Sequence, residues 1–290
     1  MKQPAFYLLH GFITTIALFI AWTIGGLLGT LIAAMPQPEG DPEQAASRFL
    51  LVTLINAILV TMLTLATNKH RGFYRWLFLV LFVFGIQFFL TQLESLFFLS
   101  AIGMSGAQVA AVLVTGLTIS VMTISASLAT ERIYIRKASQ SPYVLKFDTK
   151  KLMRPILILS LVVYPILYFV FGYFIAWQNP DLRIFYTGSD ELRPFFSQFI
   201  HEFIGNGIYP FQILRAILWV IISLPVIGMM GFTPRRALLF AILTALIPAS
   251  MLLLPNAFMP EIVAMSHLVE TASSNFVWGI AIAMLLRRNR

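Results

Sequence analysis

A chain of 290 residues, 59% of them hydrophobic and 11% charged, with a mean hydropathy of +0.84, lies far outside the soluble range, where about a quarter of residues carry charge. The formal charge of +8 and pI near 9.9 do not indicate nucleic acid, because that reading needs basic side chains on one accessible face with stacking groups among them; here they fall between apolar runs. No cysteine is present, which excludes disulfides, thiolate metal sites and cysteine nucleophiles.

A membrane-crossing helix needs roughly 20 mainly apolar residues. Eight stretches qualify, at about 6–35, 49–67, 76–99, 107–128, 156–177, 209–230, 237–254 and 262–286. The predicted fold is therefore all-α: a polytopic membrane helix bundle of about eight transmembrane helices in a single integral domain, residues 1–290. The first span is longer than the apolar core of a signal peptide, roughly 7–15 residues, and is read as retained. Its Gly25 and Gly29 have the four-residue spacing that lets helices approach closely. A proline-broken acidic loop follows, and span two ends in the basic NKHRGFYR. Span three places Gln87, Thr91 and Glu94 at i, i+4 and i+7, the spacing of one continuous polar helix face. Span four is rich in Ala, Ser, Thr and Gly, which suits a packed central position.

The longest basic stretch, 132–154, reads as a cytoplasmic loop. Span five is strongly aromatic and ends at Trp177, where an interfacial anchor belongs. In the long connection 179–210, Phe196, Phe199, Ile200 and Phe203 recur at three- and four-residue intervals, predicting a short external interfacial helix near 194–203. Ser189 or Asp190 is available to cap it, with Pro194 in its first turn. Span six carries Gln212 and Arg215. Span eight carries His267, Glu270 and Ser274 on one side, with Asn275 beside them. No repeat at a fixed period is visible, so an inverted-repeat architecture is not supported.

Charge sets the expected orientation. With both termini cytoplasmic, 16 of the 20 basic residues fall on the inner side, whereas the external connections hold Arg48, Arg183 and Arg193 against eight carboxylates, among them Glu39, Glu202 and Glu261. This is the positive-inside asymmetry, and it predicts an integral multi-pass protein of a bacterial inner (plasma) membrane.

At about 1.5 Å per residue, Glu94, Arg215, His267 and Glu270 share one depth band in the outer half of the bundle, with Gln87, Gln212 and Asn275 near it. The inner half holds only His10 and Asn56 as polar groups, read as local hydrogen bonders. Ionisable groups at bilayer depth persist when they pair, line a cavity or do chemistry. The candidate substrate-binding or proton-coupling set is thus Glu94, Arg215, His267, Glu270, Gln87, Gln212 and Asn275. His267 and Glu270 also have the i, i+3 spacing of some carboxylate-bridged metal sites, but a nearby Arg215 opposes a cation, so neither a metal nor another cofactor is expected. Catalytic residues cannot be assigned: HExxH, GxSxG and GxxxxGK[ST] are all missing, and no lysine within a span is available for a Schiff base.

These features predict an outward-facing intramembrane polar pocket that binds or transports a small polar or anionic solute, with proton coupling through the histidine. The competing expectations are an outer-leaflet enzyme acting on a lipid or lipid-linked group, and an accessory or signalling subunit whose buried charges are structural. The expected partners are the lipid bilayer and a small solute or lipid head group, with no nucleic acid.

Overall fold

A computed structural model of the chain describes residues 3–38, 40–134, 141–142 and 149–287. Glu39, most of the basic 132–154 loop and the last arginines lie outside that set. Eight described helices are long and apolar enough to cross a membrane: α1 (Ala5–Thr30), α2 (Pro42–Ala66), α3 (Phe73–Phe97), α4 (Gly106–Ile133), α5 (Lys150–Gln178), α8 (Ile208–Met230), α9 (Pro234–Leu253) and α10 (Glu261–Arg287). Between α5 and α8 lie two short helices, α6 (Pro180–Thr187) and α7 (195–204). Among the described residues, the strand structure is a two-residue parallel pairing of β1 (His70–Arg71) with β2 (Ser141–Pro142); short turns and loops make the remaining connections. The eight apolar runs and the all-α class are thus observed, and the helices are compatible with a multi-pass membrane protein.

The packing order decides which polar groups can meet. Helix α3 touches α4, α8 and α9; α8 touches α5; α5 touches α10; and α10 returns to α9. Helices α3, α8, α5, α10 and α9 therefore form a closed ring whose interior is filled by Trp219, Trp278, Phe82, Phe240 and Tyr164. Helices α1, α2 and α4 pack on its flank. Helix α1 is the most peripheral and leaves Leu8, Phe12 and Leu27 exposed, as suits a helix that faces lipid, a solvent as apolar as leucine itself.

Glycines set two of the closest approaches. A Cβ on Gly25 or Gly29 would strike Thr115 and Ala111 of α4, so the spaced pair serves tight helix contact as its sequence implies. On α10, a Cβ on Gly279 would fall 2.2 Å from Thr244 Oγ1 and 2.7 Å from the Ala241 Cα of α9. Because backbone cannot swing aside, Gly279→Ala is expected to destabilise by about 1–3 kcal/mol, the usual cost of overpacking. Gly26→Ala meets open space and is expected to be neutral or stabilising by about 0.4–1 kcal/mol. Thermal unfolding of the detergent-purified variants checks both.

Two local features differ from the sequence reading. Gly85–Phe89 forms a π-helical turn inside α3, and such a turn inserts one residue and rotates everything beyond it. Gln87 and Glu94 therefore do not share one polar face. The 194–203 segment is helical as expected, but Pro194 sits at its N-cap, without a side-chain cap from Ser189 or Asp190. A second π turn at Phe199–Ile204 divides its aromatic set: Phe195, Phe199 and Phe203 pack around Phe169, while Phe196 and Ile200 stay exposed.

Candidate functional site

Polar side chains gather in three places along the bundle. The first is at the end that carries α6 and α7. Arg215 Nη2 meets Glu94 Oε2 of α3 at 2.8 Å, with the arginine side chain 9% and the glutamate 29% exposed. Arg215 Nε donates to the Leu90 carbonyl at 3.0 Å and Nη1 to Gln212 Oε1 at 3.3 Å. The guanidinium is therefore held at all three nitrogens, which matches its planar fork of donors. The Tyr168 side chain of α5 lies within the electrostatic reach of the same Glu94 carboxylate. Gln212 is fully buried, and its Nε2 has no hydrogen-bond partner among the described residues.

Glu270 stands across the ring on α10, 8% exposed. Its Oε2 lies 3.3 Å from His267 Nδ1, and His267 Nε2 lies 3.1 Å from the Tyr186 hydroxyl of α6. An ionised carboxylate only accepts, so in the form with Glu270 ionised and the imidazole neutral, the ring proton is on Nδ1 and the phenol donates to Nε2. Burial pushes the Tyr186 phenol well above its ordinary range, and the negative fields of Glu94 and Glu270 push it further. It thus stays a neutral donor. Both carboxylates act electrostatically on Arg215, Glu94 the more strongly.

The local sequence explains how Tyr186 arrives there. Asn179 caps α6 through its Oδ1, which accepts from the Asp181 N–H, while its Nδ2 donates to Ser266 Oγ at 2.8 Å. One side chain therefore starts the short helix and pins it beside His267. Tyr186 also contacts the rings of Trp177 and Phe98, so it bridges the ends of α5, α3 and α10. The Asn-Pro-Asp run is a legible helix start that the sequence reading passed over. Tyr164 and Tyr168 were hidden among the many aromatic residues of span five.

The second gathering is central. Gln87 Nε2 donates to Asn56 Oδ1 at 2.8 Å, and Asn56 Nδ2 donates to Ser250 Oγ at 2.9 Å. Gln87 thus joins α2 and α9 rather than the Arg215 group. Asn275 stands apart as well, with its backbone carbonyl accepting from Thr244 Oγ1 at 3.3 Å.

The third lies at the opposite end, which the sequence reading leaves almost bare. Arg75 and Glu131 form a bidentate ion pair at 3.1 and 2.6 Å, with side chains 6% and 1% exposed. Arg75 also donates to the Thr64 and His70 carbonyls and to Thr67 Oγ1. His10 Nε2 lies 2.8 Å from Ser127 Oγ, which lies 3.0 Å from Thr64 Oγ1. His10 therefore bonds between helices rather than locally, whereas Asn56 does both, its Nδ2 also donating to the Val52 carbonyl at 2.9 Å. Arg75 was hidden as one charge of the 69–75 cluster, and Glu131 because it adjoins the basic run that begins at Arg132.

Of the seven candidate residues, the structure brings Glu94, Arg215 and Gln212 into direct contact and sets His267 and Glu270 across the ring within their electrostatic reach. Gln87 and Asn275 go elsewhere. A cavity of about 650 Å³ lies between α1 and α2 with apolar walls, and a polar one of about 160 Å³ lies in the connection that holds α6 and α7; the Arg215 group is in the wall of neither. Among the described residues no three His, Asp or Glu side chains are placed to hold a metal ion. Comparisons with protein-family models, with curated proteins and with solved structures find no match to this chain.

Proposed function

We propose that this is a multi-pass plasma-membrane carrier in which Glu94, Arg215, His267 and Glu270 form a proton-binding centre coupled to a small polar solute. In this reading the α6–α7 end is outside and both termini are cytoplasmic, which the positive-inside asymmetry of the sequence supports. The observation that carries the proposal is the charge inventory: two buried or half-buried carboxylates face one guanidinium whose three nitrogens are already engaged. The surplus is negative, which favours a proton or a positively charged group over a simple anion on Arg215. Among the described residues Glu270 has the titratable His267 as its one ion-pair partner, and a histidine changes charge closest to neutral pH. Gln212 Nε2 adds an unspent donor.

The test is proteoliposomes loaded with a pH-sensitive dye and challenged with a panel of small amines, amino acids and organic acids. At least one amine or amino acid is expected to acidify the lumen, and Glu270→Gln to lower that rate at least tenfold with the protein still folded. No solute-dependent proton movement, or full activity in Glu270→Gln, overturns the proposal. The structural alternative, in which the charges only set helix register, draws on the saturation of Arg215. It predicts that Glu270→Gln alters stability and no flux.

A further inference from the structure

The small polar cavity in the connection between α5 and α8 is separate from the membrane centre, and two of the charges in its wall are not paired with each other or with a neighbour. Arg183, on α6, is 8% exposed. Its Nε donates to the Asp190 carbonyl at 2.7 Å and its Nη1 to the Trp177 carbonyl at 2.6 Å. Among the described residues no carboxylate lies within ion-pair distance of it, and Nη2 has no hydrogen-bond partner. A buried guanidinium without a counter-charge is costly, and this one stands in a cavity wall.

The same wall holds Arg193, Glu202, Glu191 and the buried Gln198. Arg193 is already paired with Glu202 at 2.5 Å, and Glu202 accepts a further bond from Asn206. That leaves one cation and one anion unspent: the buried Arg183 and the exposed Glu191. The volume, about 160 Å³, is that of roughly five waters at about 30 Å³ each. A net-neutral wall with one free charge of each sign selects a small molecule carrying both.

From this geometry we infer that the cavity is a binding site for a small zwitterion of the amino-acid type, its carboxylate on Arg183 Nη2 and its ammonium on Glu191. A bare anion would satisfy Arg183 and be repelled by Glu191; a bare cation would do the reverse. Trp177, whose carbonyl holds Arg183 and whose ring contacts Tyr186, places the site next to the cap of the membrane centre. The inference does not depend on transport.

Ligand-observed NMR on the detergent-purified full chain tests it with glycine, acetate and methylammonium as probes. Glycine is expected to bind saturably and at least tenfold more tightly than either half-molecule. Arg183→Gln is expected to abolish that binding. Because this change also removes two bonds that hold the connection, the exposed Glu191→Gln gives the second arm: at least a fivefold loss for glycine, with acetate unchanged or tighter. Absence of saturable glycine binding, acetate binding equal to glycine, or an unaltered glycine affinity in Glu191→Gln overturns the inference, the second outcome marking a simple anion site.

Discussion

Glu131→Ala is expected to destabilise the protein by about 3–5 kcal/mol, the cost of leaving one member of a buried ion pair without its partner. Arg75 would keep its bonds to the Thr64 and His70 carbonyls and to Thr67, but these are neutral acceptors and do not cancel its charge. Arg75→Ala is expected to cost a similar amount, because Glu131 is the more deeply buried of the two and has no other cation in ion-pair contact among the described residues. The double variant Arg75→Met, Glu131→Leu is expected to recover most of the loss, since an apolar pair of similar volume avoids the desolvation of both ions. Unfolding in mixed detergent, followed by tryptophan fluorescence, measures all three. Single variants within about 1 kcal/mol of the parent would mean that water reaches the pair.

The second large effect concerns Arg215. Arg215→Ala removes the guanidinium that pairs with Glu94 and acts on Glu270, along with its bonds to the Leu90 carbonyl and Gln212. A loss of about 3–5 kcal/mol is expected here too. Glu94→Gln is expected to cost less, because Glu94 is 29% exposed and the guanidinium keeps its other two bonds. A double-mutant cycle between the two sites should show a coupling of about 0.5–3 kcal/mol, the range for residues in direct contact. Arg215→Lys should not rescue: an ammonium on a flexible stem cannot reproduce three bonds made in one plane. Equal stability of the lysine variant and the parent would show that only the charge matters at this position.

These predictions differ in how far the sequence alone leads to them. The pair Glu94 and Arg215 was legible because each charge interrupts a long apolar run, and an isolated charge in such a run stands out against lipid. Arg75 and Glu131 were not, although they are more buried. They sit where apolar runs meet basic connections, Arg75 in the first turn of α3 and Glu131 in the last turn of α4, and there a charge in a terminal turn of a buried helix reads like a charge in solvent. Helix α4 continues past the expected limit of 128 to Ile133, and α3 starts at Phe73 rather than 76. Those few residues of extra helix carry both charges into the packed bundle.

Face assignments failed for a different reason. The spacing of Gln87 and Glu94 assumes 3.6 residues per turn throughout, and the π turn at Gly85–Phe89 breaks that period. Hydropathy does not register such a turn, because it changes direction without changing composition. The result is that Gln87 serves Asn56 on one side while Glu94 serves Arg215 on another.

By itself the sequence determined the number of apolar helices, the all-α class and the charge asymmetry, because each depends only on what a stretch of about twenty residues contains and lipid tests every stretch separately. Only the tertiary structure decided that α3, α8, α5, α10 and α9 close into a ring, that Tyr186 is delivered to His267 from a connecting helix, and that Arg75 finds Glu131. Those outcomes depend on which helices are neighbours and how each is rotated. In a membrane every helix presents much the same hydrocarbon surface, so neighbours are chosen by shape and by a few polar contacts between residues far apart in the chain.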